Sequence, residues 1–274
     1  MRTPRRLLAG SVAVLAAAAV ALIGAAPAHA AAATSKVYVV HGIPGTPVDV
    51  WVNNVKTLPN FQPKDVAGPL DLPEGSYNLA LTAPGAADTS AAILKVDGAA
   101  VPGGANLTLV AHLKADGSPT ITPFVNDVSP VGAGKARLVV RHTAAAPAVD
   151  VRAGGTPVFS NLTNPNEAKA DVAAGSLSAD VVAAGSTTVV LGPTTLNLAE
   201  GTSTIVYAIG SLDKKTLDVV AQVITGLHSA PGGVPTGSGG LADTGPAWWL
   251  YALAALLIVG IGGGVAARTV KARR

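Results

Sequence analysis

Apolar and polar positions alternate with a period of two through much of the middle of this chain. Val48, Val50 and Val52 share one face of such a segment, with Asp49 and Trp51 on the other. Tyr77, Leu79 and Leu81 alternate in the same way, as do Leu107, Leu109, Ala111 and Leu113. The pattern returns at Leu177, Ala179 and Val181, then at Ile205, Tyr207 and Ile209, then at Leu217, Val219, Ala221 and Val223. Side chains on a strand point to opposite faces in turn, so each set predicts a strand with one buried face. Asn53-Asn54 and Gly154-Gly155 each fall between apolar segments and tolerate positive φ, so each predicts a two-residue hairpin turn. No part of the middle shows a long 3.6-residue repeat. Short strands punctuated by turns predict an all-β architecture.

The strand pattern occurs twice. Val39-Val40-His41 followed by Pro47-Val48-Asp49-Val50 is echoed by Val140-Arg141-His142 followed by Pro147-Ala148-Val149-Asp150-Val151. Asp71 to Ser76 matches Asp171 to Ser176, and Gly104 to Ala111 matches Gly201 to Ala208. The offset drifts slightly, as loops of different length require. Two tandem immunoglobulin-like β-sandwich domains are therefore expected, over residues 36–125 and 135–227, with residues 126–134 as a short linker.

These residues carry a resemblance. Val-Val-His, a Pro-containing turn, Val-Asp-Val and a two-residue turn, at 39–54 and again at 140–155, resemble the bacterial surface family known as domain of unknown function 4397. The middle Asp common in that family's turn is absent from both copies. The resemblance implies an extracellular β-sandwich module and supplies no reaction.

Two blocks are apolar throughout, and they decide location. Arg2, Arg5 and Arg6 precede an apolar run from Leu7, which Pro27 ends before Ala28-His29-Ala30. That order predicts a signal peptide over residues 1–30, with signal peptidase cutting between Ala30 and Ala31, or else after Ala32 or Ala33; the alternative is an uncleaved amino-terminal anchor. At the other end, residues 229–240 form a Gly/Pro/Ser-rich tether, about 20 Å end to end as a coil. Leu241-Ala242-Asp243-Thr244-Gly245 follows, then an uncharged stretch over residues 247–267, then a basic tail over residues 268–274. The stretch would span about 31 Å as a transmembrane helix, matching a bilayer core. The basic residues after it predict a cytoplasmic carboxyl terminus.

The pentapeptide resembles the sorting signal of sortase transpeptidases. Ala242 in place of the usual Pro matches the variant found in high-GC Gram-positive bacteria and read by class E sortases. By that resemblance the enzyme attacks the carbonyl of Thr244, releases Gly245 and joins the chain to peptidoglycan. The expected location is the cell surface, wall-anchored or held by a single membrane span with the amino-terminal portion outside.

Charge and composition narrow the functional classes. The net charge of +3 comes from the ends, where seven of the 19 basic residues sit; between them 12 face all 16 acidic residues. A nucleic-acid partner loses its support. With no cysteine, each domain must hold together by its core.

The candidate chemistry in the repeats is His41 with Asp49 and its copy, His142 with Asp150. A His beside a carboxylate can orient a base or bind a metal, but two ligands per domain fall short of a zinc site and no nucleophile motif accompanies them. An Asp capping a turn or pairing with His across strands is the bland alternative. Trp51 either stacks on a sugar or packs across strands; Arg152 stands at its position in the second copy. No cofactor, metal or catalytic residue is expected. The reading is a non-enzymatic surface protein with a structural or ligand-binding role, its ligand unspecified. The alternative is a carbohydrate-binding module or adhesin at the wall, and a hydrolase using the His/Asp pairs ranks below both.

Overall fold

A computed structural model describes residues 32–228, and every regular element among them is a strand. The signal peptide with its Ala30/Ala31 cleavage site, the tether, the sorting motif Leu241 to Gly245, the span 247–267 and the basic tail lie outside the described residues. Among the described residues no helix is long and apolar enough to cross a membrane. The described chain divides into two compact units. The first holds the chain up to Asn126 together with Thr143–Ala145 and Ile209–Thr216; the second holds the rest.

The first repeat is built from β1 (Thr34–His41), β2 (Val48–Val52), β3 (Val55–Phe61), β4 (Val66–Pro73), β5 (Gly75–Thr82), β6 (Leu94–Val101), β7 (Asn106–Leu113) and β8 (Pro119–Val125). They form two four-stranded sheets, ordered β4-β1-β7-β8 and β3-β2-β5-β6. The expected apolar sets meet between them. Val39 and Ala111 from one sheet cluster with Val48, Val50, Phe61 and Leu81 from the other, and Val37, Leu107 and Leu109 meet Leu79 and Val101. Each such side chain contributes roughly 1.5–3 kcal/mol by leaving water, which lets a cysteine-free domain hold together.

The second repeat copies this strand for strand. Its elements are β9 (Lys135–His142), β10 (Val149–Ala153), β11 (Thr156–Leu162), β12 (Glu167–Ala173), β13 (Gly175–Ala183), β14 (Val189–Leu198), β15 (Ser203–Ile209) and β16 (Asp218–Ile224). The sheets run β12-β9-β15-β16 and β11-β10-β13-β14. Leu138 and Val140 of one sheet pack on Val149 and Val151 of the other. Both expected hairpin turns form: Asn53 and Asn54 have φ of 48° and 63°, and Gly154 and Gly155 have φ of 55° and 82°.

Tandem β-sandwiches are present, but their strand order is not the immunoglobulin one. There the first two strands share a sheet. Here β1 and β2 lie in different sheets, as do β9 and β10. The connection Gly42-Ile43-Pro44-Gly45-Thr46-Pro47 crosses to the opposite sheet instead of closing a hairpin. In exchange β1 pairs in parallel with β7, from Lys36 opposite Asn106 to His41 opposite Ala111, and β9 pairs in parallel with β15.

Two local expectations are also corrected. On β15 it is Val206 that packs on the core of Leu138 and Val140, so Ile205 and Tyr207 lie on the opposite face and are buried there. On β16 the buried residues are Val220, Gln222 and Ile224, while Val223 is exposed. Both faces of these strands bury side chains, so alternation alone does not say which face is the core. Asp97-Gly98 forms an irregularity inside β6, where the pairing with β5 shifts register.

The stretch read as a linker is largely built into the second unit. Arg137, nearly buried on β9, donates to both carboxylate oxygens of Asp171 at 2.8 and 3.0 Å. Its Nη1 donates to the carbonyls of Asp127 and Ser129 and ion-pairs with Asp127 at 3.0 Å. Lys169 reaches Asp127 at 2.7 Å, and with the Ser129 hydroxyl it holds that carboxyl far below the usual carboxylate range. A guanidinium removed from water needs this full set of acceptors.

Candidate functional site

β1 delivers His41 to the end of one sheet and β2 delivers Asp49 to the start of the other, so the shared eight-residue spacing does not bring the two together. The His41 ring is buried and stacks on Phe61 with centroids 5.9 Å apart. Its Nε2–H donates to the carbonyl of Thr46 at 2.9 Å, which makes Nδ1 the acceptor nitrogen; Nδ1 has no partner. Burial pushes the imidazole below its usual pKa, opposed by the Thr46 carbonyl and the charge of Asp65. His142 likewise donates through Nε2–H to the Pro147 carbonyl at 2.9 Å, and burial lowers its pKa too. Each His ties down the crossing connection that follows its own strand.

Asp49 serves another purpose. One carboxylate oxygen accepts from the Asn60 backbone N–H at 2.7 Å. The other accepts from the Gly85 N–H at 3.0 Å and from Lys56 at 2.7 Å. Lys56, then the two amides, hold this carboxyl below the usual range. Asp150 repeats the clamp with the N–H groups of Asn161 (2.7 Å) and Gly185 (3.0 Å), and these lower its pKa as well. The donors need unusual backbone. Asn60 and Asn161 have φ of 49° and 54°, where the pairing of their strands with β2 and β10 slips register, and Gly85 and Gly185 have φ of 82° and 72°. Asn and Gly are the residues that reach this region at least cost.

Neither His/Asp combination therefore forms a dyad. Among the described residues no group of three or more His, Asp or Glu is gathered as metal ligands would be. Reading the sequence located the Asp but missed its partners. The signal was there: Asn60/Asn161 recur at the same spacing from the Asp in both copies, and Gly85/Gly185 at spacings that differ by one residue.

The outer face around Asp49 is where the repeats diverge. Trp51 is 6% exposed, its indole N–H donates to the Thr82 hydroxyl at 2.9 Å, and the Lys56 ammonium lies 5.0 Å from the ring centroid. It packs across strands and offers no face to a sugar. Opposite Trp51 stands Ala80, and opposite Ala80 stands Lys95. In the second repeat Arg152 stands opposite Asp180, joined to it by two hydrogen bonds of 2.7 and 2.8 Å.

Beside Ala80 lies a small polar pocket of about 90 Å³ that opens to solvent. Asn54 from the β2–β3 turn, Asn78 from β5, Thr89 from the β5–β6 loop, and Lys95 and Asp97 from β6 line it. Thr89 donates to the Asn54 side-chain carbonyl at 3.3 Å, and the Asn78 side-chain carbonyl accepts from the Gly98 N–H at 3.0 Å. No sequence motif marked this constellation, because its residues come from four separate segments.

Residues 35–152 match the family described as "Domain of unknown function (DUF4397)". Over these residues the chain is similar to that family. The DUF4397 match begins in β1, covers the whole first sandwich and ends in β10, so it includes both His/Asp combinations. The rest of the second repeat is related to the first by strand order and by the shared Asp clamp. No curated protein matches the sequence.

Proposed function

We propose that this is a non-enzymatic, exported surface protein whose sandwiches are displayed outside the cell. The single observation that carries the reading is an order in the sequence: Leu241-Ala242-Asp243-Thr244-Gly245, an uncharged membrane-length stretch, then four basic residues. In this reading signal peptidase cuts between Ala30 and Ala31, and a class E sortase joins Thr244 to peptidoglycan, or the helix keeps the protein in the membrane. A β-rich DUF4397 domain fits an extracellular module. Of the residues best suited to catalysis, His41 and His142 each donate to a carbonyl of the crossing connection, and Asp49 and Asp150 each accept from two backbone N–H groups, which favours a structural or binding role over hydrolysis.

Cell fractionation tests the anchor. Muramidase should release the protein from walls already extracted with detergent. Full recovery by detergent alone would refute the covalent linkage and leave the membrane helix; recovery from the cytosol would refute both. The second reading, a carbohydrate-binding module, is favoured by the polar pocket of the first repeat.

A further inference from the structure

The pocket beside Ala80 has the chemistry of a binding site without the look of a structural one. No hydrogen bond within the protein engages the Lys95 ammonium or the Asp97 carboxylate among the described residues, and the Lys95 charge acts on the exposed Asp88. The two Asn side chains spend their carbonyls internally, on Thr89 and Gly98, which turns both NH₂ groups toward unused donor capacity. The pocket thus offers two amide donors, an ammonium donor and a carboxylate acceptor.

We propose that this pocket is a ligand site of the first repeat and that it takes a neutral sugar through a pair of adjacent hydroxyls. A hydroxyl both donates and accepts, so neighbouring hydroxyls can donate to Asp97 while accepting from Lys95 and the Asn amides. A simple anion would meet Asp97 and a simple cation Lys95, so the paired charges favour a neutral ligand. The floor exists because residue 80 is alanine. At the matching positions the second repeat has Asp180 for Ala80, Gly155 for Asn54 and Ser178 for Asn78, and Asp180 is already engaged by Arg152. The site therefore belongs to the first repeat alone. With no aromatic platform in its lining, affinity is expected in the millimolar range, as for a module displayed in many copies on a surface.

This inference rests on the second reading above, a displayed carbohydrate-binding module. The test uses the intact chain in a sugar-free detergent, with glucose, mannose, galactose and N-acetylglucosamine titrated by saturation-transfer NMR. At least one should bind, and Asp97→Ala and Lys95→Ala should each weaken it by about tenfold. Because these side chains make no hydrogen bond inside the protein, both variants should melt with the parent. Ala80→Asp, which copies the second repeat, should block the pocket independently. If no sugar binds the parent, both the inference and the carbohydrate reading fall. If a sugar binds but neither Asp97→Ala nor Lys95→Ala weakens it, the pocket is refuted while a carbohydrate role elsewhere survives. Wall attachment is judged separately by fractionation.

Discussion

The two repeats share a strand order and an Asp clamp yet differ over the patch of sheet beside that clamp. In the first, Asp49 adds Lys56 to its two backbone donors, and Lys56 in turn covers Trp51. In the second, Pro157 stands where Lys56 would be, and Arg152 pairs with Asp180. The difference separates two kinds of constraint. What holds a register slip and a positive-φ glycine together is kept in both copies. What merely covers the sheet is free to become an indole, an ion pair or an open pocket.

Four measurements can break or sharpen this contrast. Trp51→Ala should have the largest effect, about 3–5 kcal/mol of lost stability, because a buried indole is removed and Thr82 loses its donor; urea unfolding reads it. Asp49→Ala should follow at roughly 2–4 kcal/mol, since it strands two backbone N–H groups and a lysine. Asp150→Ala should cost less by the same assay, having no lysine to strand. Equal losses at the two positions would show that Lys56 contributes nothing.

The third measurement is pH. Burial lowers the folded pKa of His41 and of His142 below the ordinary 6.5. The unfolded chain then binds protons that the folded one refuses, so stability is full above that value and declines as pH falls below it. His41→Gln should flatten the dependence of melting temperature on pH in this window. The Asp49 carboxyl lies below its ordinary 3.8, so its contribution persists above that value and is lost only at more acid pH. The smallest effect is expected from Arg152→Ala, whose partner pair is partly solvated and needs only a slight shift in melting temperature to be accounted for.

How much was legible varied with the kind of interaction. Core strands were readable because Val48, Val50, Leu79 and Leu81 bury one face at period two. Turns were readable because Asn53-Asn54 and Gly154-Gly155 meet a backbone demand few residues satisfy. Strand order was not, since a connection of six residues can close a hairpin or cross a sandwich, and nothing local in Gly42 to Pro47 distinguishes them. The core faces of β15 and β16 were misread because Ile205 and Tyr207 are as apolar as the residues behind them. The His/Asp spacing was real but measured the length of a crossing, not a distance in space. The pocket was invisible because Asn54, Asn78, Thr89, Lys95 and Asp97 converge only after the sheet has formed.

The parallel pairing of β1 with β7 bears on timing. Ser35 and its hydrogen-bond partner Ala105 are 70 residues apart in the chain. A polypeptide delivered amino end first cannot complete its central sheet until that much more chain has arrived. Hairpins such as β2–β3 can form early, but the sandwich closes late and all together, with a high contact order and correspondingly slow folding. If the chain is exported as proposed, that delay would keep it passable through a narrow pore until most of a domain has reached the far side.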